Sequence, residues 1–138
     1  MVKLFEHKKI LTAGRLIAIL SAVVLAASAF FPWGYTENVS VSGITGDGVI
    51  TIGIGILACI LIFIKRAPLW LSLILGAAGL AIGIIDFQTM QEAVKEIEGF
   101  VGKGLHMTII ASIGIVVGTF VEIIEERARL GLLYLDEK

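Results

Sequence analysis

The sequence predicts an all-α fold: a bundle of four transmembrane helices with a short outer β-strand or hairpin and an outer amphipathic helix. Three observations predict it. Hydrophobic residues make up 57% of the chain and charged residues 17%, where soluble domains carry about 25% charged residues. Charges divide the chain into four uncharged runs, Leu16 to Thr36, Gly48 to Ile64, Ala67 to Ile85 and Gly104 to Val121, of 21, 17, 19 and 18 residues. The runs are continuous rather than alternating, as in Ile54-Gly55-Ile56-Leu57-Ala58-Cys59-Ile60-Leu61-Ile62. About 30 Å of hydrocarbon is crossed by roughly 20 helical residues. In lipid only helices and closed barrels leave no backbone group unsatisfied. A barrel would need alternating strands of about ten residues, so the runs read as helices.

The 138 residues suggest a single domain over 1–138. Spans are expected at about 11–32, 48–64, 68–86 and 105–124, with a helical tail over 125–138. The first span follows a basic segment (Lys3, Lys8, Lys9), and Ala27-Ser28-Ala29 resembles a cleavage site. The apolar run continues through Phe30, Phe31 and Trp33. It is thus long enough to span, and is expected to be retained.

Pro32 and Trp33 mark the exit of the first span, with Trp33 and Tyr35 expected at interface depth. Asn38-Val39-Ser40-Val41-Ser42 alternates with β-branched valines and predicts a short strand. Ser42-Gly43 and Thr45-Gly46-Asp47-Gly48 supply turn chemistry. Asp47 or Thr45 then caps the second span, placing an acceptor or a negative charge on the positive helix end. Asn38-Val39-Ser40 also matches a glycosylation sequon on an outward-facing loop.

The link Lys65-Arg66-Ala67-Pro68 is short enough to make spans two and three an antiparallel hairpin, and Pro68 suits a first helical turn. Beyond Asp86, which ends the third span, Met90, Ala93, Val94, Ile97 and Val101 recur at spacings of three and four. Glu92, Lys95, Glu96 and Glu98 fall between them, which predicts a separate amphipathic helix on the outer surface. Gly99, Gly102 and Gly104 break it. In the tail, Glu125 and Arg129 form a favourable helical pair and Glu122 and Glu126 an unfavourable one. Leu130, Leu132, Leu133, Tyr134 and Leu135 are too few to span and suit the inner interface or a neighbouring subunit.

Orientation follows the basic residues. One side carries Lys3, Lys8, Lys9, Arg15, Lys65, Arg66, Arg127, Arg129 and Lys138, the other only Lys95 and Lys103. Nine against two places both termini in the cytoplasm. Arg15 and Glu122 lie at similar depth near that face. Each either snorkels to water or the two pair and tie the first helix to the last. Gly53, Gly55 and Gly76, together with the GxxxG pairs Gly79/Gly83 and Gly114/Gly118, permit close helix approach, within the bundle or between subunits.

Little in the sequence points to chemistry. Cys59 is the only cysteine, so an intrachain disulfide and a CxxC site are excluded. No GxSxG, P-loop or HExxH occurs. The spans contain no His–Glu or His–Asp cluster, with His7 in the basic N-terminus and His106 near the outer end of the fourth span, so no metal or cofactor is expected. A net charge of −1 gives no reason to expect nucleic acid. No span carries a midplane charge, against proton-coupled transport. The expected function is non-enzymatic: a membrane protein acting by assembly, as a homo-oligomer or as a small subunit of a membrane complex, with membrane lipid as a further partner. An oligomeric pore lined by small-residue helices is the first alternative. A membrane enzyme using Asp86 and His106 is the second.

The stretch Pro32-Trp33 through Val39-Ser40-Val41-Ser42-Gly43-Ile44-Thr45-Gly46-Asp47-Gly48 resembles small prokaryotic four-helix membrane proteins, in which an aromatic exit from helix one leads through an extended loop to a Gly-Asp-Gly start of helix two. The resemblance implies architecture and no activity. The layout is also similar to that of claudins, with an outer strand after helix one, although the paired loop cysteines of claudins are missing.

Overall fold

The computed structural model describes residues 12–64 and 67–136, with side chains as far as Gly131. The basic N-terminal segment with His7, the pair Lys65-Arg66, the side chains of Leu132 to Leu135 and Lys138 lie outside the described residues. Those described form four α-helices and three short strands: α1 (Ala13–Ser28), β1 (Pro32–Tyr35), β2 (Ser40–Ser42), α2 (Gly48–Phe63), α3 (Leu69–Glu96), β3 (Phe100–Val101) and α4 (Lys103–Asp136), with a 3-10 turn at Gly43–Thr45.

The helices differ in reach. α3 and α4 are each long and apolar enough to cross a membrane. α1 and α2 have 16 residues each, about 24 Å at 1.5 Å per residue. The first span was expected to run to residue 32 but stops at Ser28. Pro32 has no N–H to continue the helical ladder and biases the residue before it toward extended geometry, so the chain turns there into β1. α3 differs in the other direction. It passes Asp86 without a break and ends only at Glu96, so the predicted separate amphipathic helix is the projecting end of α3. No proline or glycine lies between Ile84 and Ile97 to stop it.

The four helices form a ring in which α1 packs on α2 and α4, and α3 packs on α2 and α4. Glycine makes these contacts possible. A Cβ at Gly118 of α4 would lie 2.6 Å from the Ala18 nitrogen of α1, and one at Gly14 of α1 would lie 2.7 Å from the Gly118 oxygen. Gly114 rests on the Ser21 side chain. On the α3–α4 side, Gly79 faces Ser112 and Gly83 faces Thr108 and Ile109. Both GxxxG pairs therefore pack inside this chain. Gly55 packs on Ala22 and Ala26, whereas Gly53 faces open space.

The core is thin. Ala22, Leu25, Ala58, Ala111 and Ile115 form its centre, with Ile54, Cys59 and Leu75 packed against it. Most other buried residues are small or polar, among them Ser28, Thr51, Ser72, Thr108, Ser112 and Thr119. The large apolar side chains point outward on every helix: Leu20 and Val23 on α1, Ile56, Ile60 and Phe63 on α2, Ile74 and Ile85 on α3, Ile110, Val117 and Phe120 on α4.

At one end of the ring the strands form an antiparallel sheet in the order β2-β1-β3. Tyr35 pairs with Ser40 and with Phe100, and Gly34 pairs with Val41 and with Val101. The strand predicted around Ser40 is thus not isolated, and its partner is supplied by the same chain. Trp33 sits at an irregularity in the β1–β2 register. It was expected at a lipid interface but is only 4% exposed. Its ring packs where Cβ atoms on Gly43 and Gly104 would stand, and its Nε1 donates to the Ser28 carbonyl at 3.2 Å. The Ser28 and Thr108 hydroxyls lie 2.8 Å apart. Trp33 therefore locks the sheet onto the ends of α1 and α4.

Candidate functional site

Beside the sheet the chain leaves an open groove of about 960 Å³. Its floor is the projecting end of α3, and its walls are β1, β2, the turn between them and Phe100. The end of α3 is placed by Met90, whose sulfur occupies the space a Cβ on Gly34 would need. The β1–β2 turn is held by Thr36, whose N–H donates to the Val39 carbonyl at 2.8 Å and whose hydroxyl accepts from the Val39 N–H at 3.2 Å. Apolar side chains dominate the exposed lining, with Ile97 61% and Phe100 65% exposed. Tyr35 and Phe100 stack with ring centroids 5.9 Å apart. Glu37 and Glu98 bring acidic groups to the lining, and Asn38 of the sequon lies on the exposed turn.

Glu98 carries strain. Its φ of 51° is the left-handed conformation that glycine adopts most easily. It is held there because the Gly99 N–H reaches back to the Val94 carbonyl at 2.8 Å, the closing bond of a Schellman helix end. The sequence drew attention to Gly99 as the helix breaker, while the strained residue is its neighbour.

At the opposite end of the bundle, the Thr12 hydroxyl donates to Glu122 Oε2 and caps α1 by accepting from the Arg15 N–H at 3.2 Å. Arg15 Nε lies 3.6 Å from Glu122 Oε1, with the two side chains 14% and 9% exposed. That distance is an ion pair rather than a direct hydrogen bond, and Arg15 Nε has no hydrogen-bond partner. First and last helix are joined here, with Thr12 making the direct bond. Thr12 was not foreseen, since a threonine before a helix carries a capping signal and no long-range one.

Other expected residues are placed differently. Asp47 stands at the cap position of α2, but its side chain makes no capping bond. Its backbone is helical at φ −70° and ψ −4°, whereas a capping side chain needs an extended residue to reach the next N–H groups. Thr45 instead donates to the Ser42 carbonyl at 2.7 Å. Asp86 lies within electrostatic reach of Asp47, and its Oδ2 is buried without a partner. His106 is engaged elsewhere, with Nδ1 3.0 Å from the Gly102 carbonyl and its ring edge-on to Phe87. Neither Asp86 nor His106 lines the groove. Among the described residues, no group of three or more His, Cys, Asp or Glu could hold a metal ion.

Comparison with known proteins finds no matching family model, no matching curated protein and no matching solved structure.

Proposed function

We propose that this chain is an integral membrane protein crossing the bilayer four times, with both termini cytoplasmic, and that it acts without catalysis by docking another membrane protein in the groove beside its sheet. The observation that carries the membrane reading is the inverted distribution of side chains. Small and polar residues fill the middle while large apolar ones face outward on all four helices, α1 and α2 included. Helices pack this way in lipid, where burying leucine gains nothing and close backbone contact does. In water such a belt would be an aggregation surface. The sixteen-residue helices reach across with the help of the exposed Phe30 and Phe31 at one end of α1 and the exposed Ile64 at one end of α2. In the sequence, nine basic residues fall in the N-terminal, 65–66 and C-terminal segments against two in the segments between the other span ends, and this asymmetry supports the orientation.

The occupant that suits the groove is an extended partner segment with apolar side chains and a basic group. β2 and β3 are both edges of the sheet, so a partner strand can add main-chain hydrogen bonds. Glu37 and Glu98 supply the complementary charge. A photoreactive residue replacing Val41 is expected to give a discrete cross-linked species in the native membrane, and Ile97→Asp in the same chain is expected to remove it. No adduct at Val41, or one unaffected by Ile97→Asp, would contradict the docking role. An adduct between two copies of this chain would make the partner a second copy.

A further inference from the structure

At the end of the bundle away from the sheet, a second cavity of about 350 Å³ opens between α1, α4 and the start of α3. Its lining includes Arg15, Arg127, Glu126 and the first residues of α3, Leu69 and Trp70. Two features of this cavity favour an anion. Two guanidinium groups border it, those of Arg15 and Arg127, although Arg15 Nε itself faces Glu122 at 3.6 Å. The first turn of α3 has no acidic residue and no side-chain cap of its own, so α3 does not itself neutralise its positive end. Glu122 behind Arg15 and Glu126 on the lining offset part of this charge. The cavity is therefore suited to a small anion held by directed N–H groups more than to a broad polyanion. Trp70 is 56% exposed beside it, an aromatic at the depth where headgroups begin.

We propose that this cavity binds the phosphate of an anionic membrane lipid on the cytoplasmic leaflet, with Arg127 as the main donor and Arg15 as the second. Basic cavities between helix ends on that leaflet are suited to acidic headgroups. The assignment rests on the four-span reading and its orientation.

The test uses the full chain, purified and offered phosphatidylglycerol or phosphatidylcholine, with bound lipid counted by native mass spectrometry. Wild type is expected to retain phosphatidylglycerol in preference. Arg127→Gln is expected to weaken that retention about tenfold, the size of one charge-assisted hydrogen bond, and Arg127→Lys to restore part of it. Lys103→Gln, which removes a charge at the sheet end, is expected to change nothing. Equal retention of the two lipids, or a preference untouched by Arg127→Gln, overturns the site. Displacement of the lipid by inorganic phosphate at equal concentration overturns the lipid assignment in favour of a free anion. Extraction of the protein from membranes by alkaline carbonate would instead overturn the four-span reading. An inserted protein without lipid preference would leave that reading standing and remove only the site.

Discussion

Two classes of residue hold this molecule together: glycines at helix crossings and the polar groups that close the bundle ends. At Gly118 the backbone of α1 occupies the space a methyl group would need. Gly118→Ala should therefore cost about 1–3 kcal/mol, the range for overpacking a tight contact. Gly53 meets nothing within 4 Å, so Gly53→Ala should be neutral or mildly stabilising, by at most about 1 kcal/mol. Unfolding midpoints of both variants in mixed micelles check the contrast, and equal effects would deny the α1–α4 contact. The Arg15–Glu122 pair behaves differently, because each charge is largely removed from water. Arg15→Met leaves a shielded carboxylate with only Thr12 and should cost about 2–4 kcal/mol, somewhat below the range for a fully buried pair. Adding Glu122→Gln should recover at least half of that. A double-mutant cycle in the same micelles measures the coupling, and strictly additive losses would mean the two groups act independently.

At the scale of elements, α3 is the informative one. It runs 28 residues, about 42 Å, well beyond the hydrocarbon thickness of roughly 30 Å. Its projecting end is the floor of the groove, so its rigidity fixes the groove's shape. Gln88→Pro in the exposed surface of this stretch should destabilise the fold by about 3 kcal/mol, by removing one ladder bond and clashing with the carbonyl four residues back. A hinge at Phe87–Gln88 would tolerate the change, and circular dichroism melts separate the two cases. The sequence shows α3 clearly as apolar run and amphipathic run, but charge at Asp86 divides them in hydropathy while leaving the backbone free to continue. Helix identity was thus legible and helix continuity was not. β1 was hidden for another reason. Pro32 and Gly34 are both poor strand residues, and the strand exists because Trp33 is drawn inward between Gly43 and Gly104. A two-residue strand such as β3 has no local pattern to detect. The Gly114/Gly118 pair was readable as a packing surface, yet its partner on α1, Gly14 and Ala18, emerges only when the two helices are set side by side.

For the whole molecule, the distribution of side chains is what supports the proposed membrane environment. Four helices share one outward apolar belt and one inward lining of small residues, and the two ends differ in chemistry. One end carries the sheet, the strained Glu98 and the open groove. The other carries the Thr12–Glu122–Arg15 closure and the smaller arginine-lined cavity. In the proposed four-span arrangement, odd and even helices run in opposite directions through the bilayer, with the groove on one face and the Arg15 end of the bundle on the other. Single cysteines introduced in a Cys59→Ala background test this most directly, read with a membrane-impermeant thiol reagent on sealed, right-side-out vesicles. Glu37→Cys and Lys103→Cys are expected to label from outside, and Gly131→Cys only after the vesicles are opened. Labelling of Glu37→Cys and Gly131→Cys from the same side would contradict the four-span account.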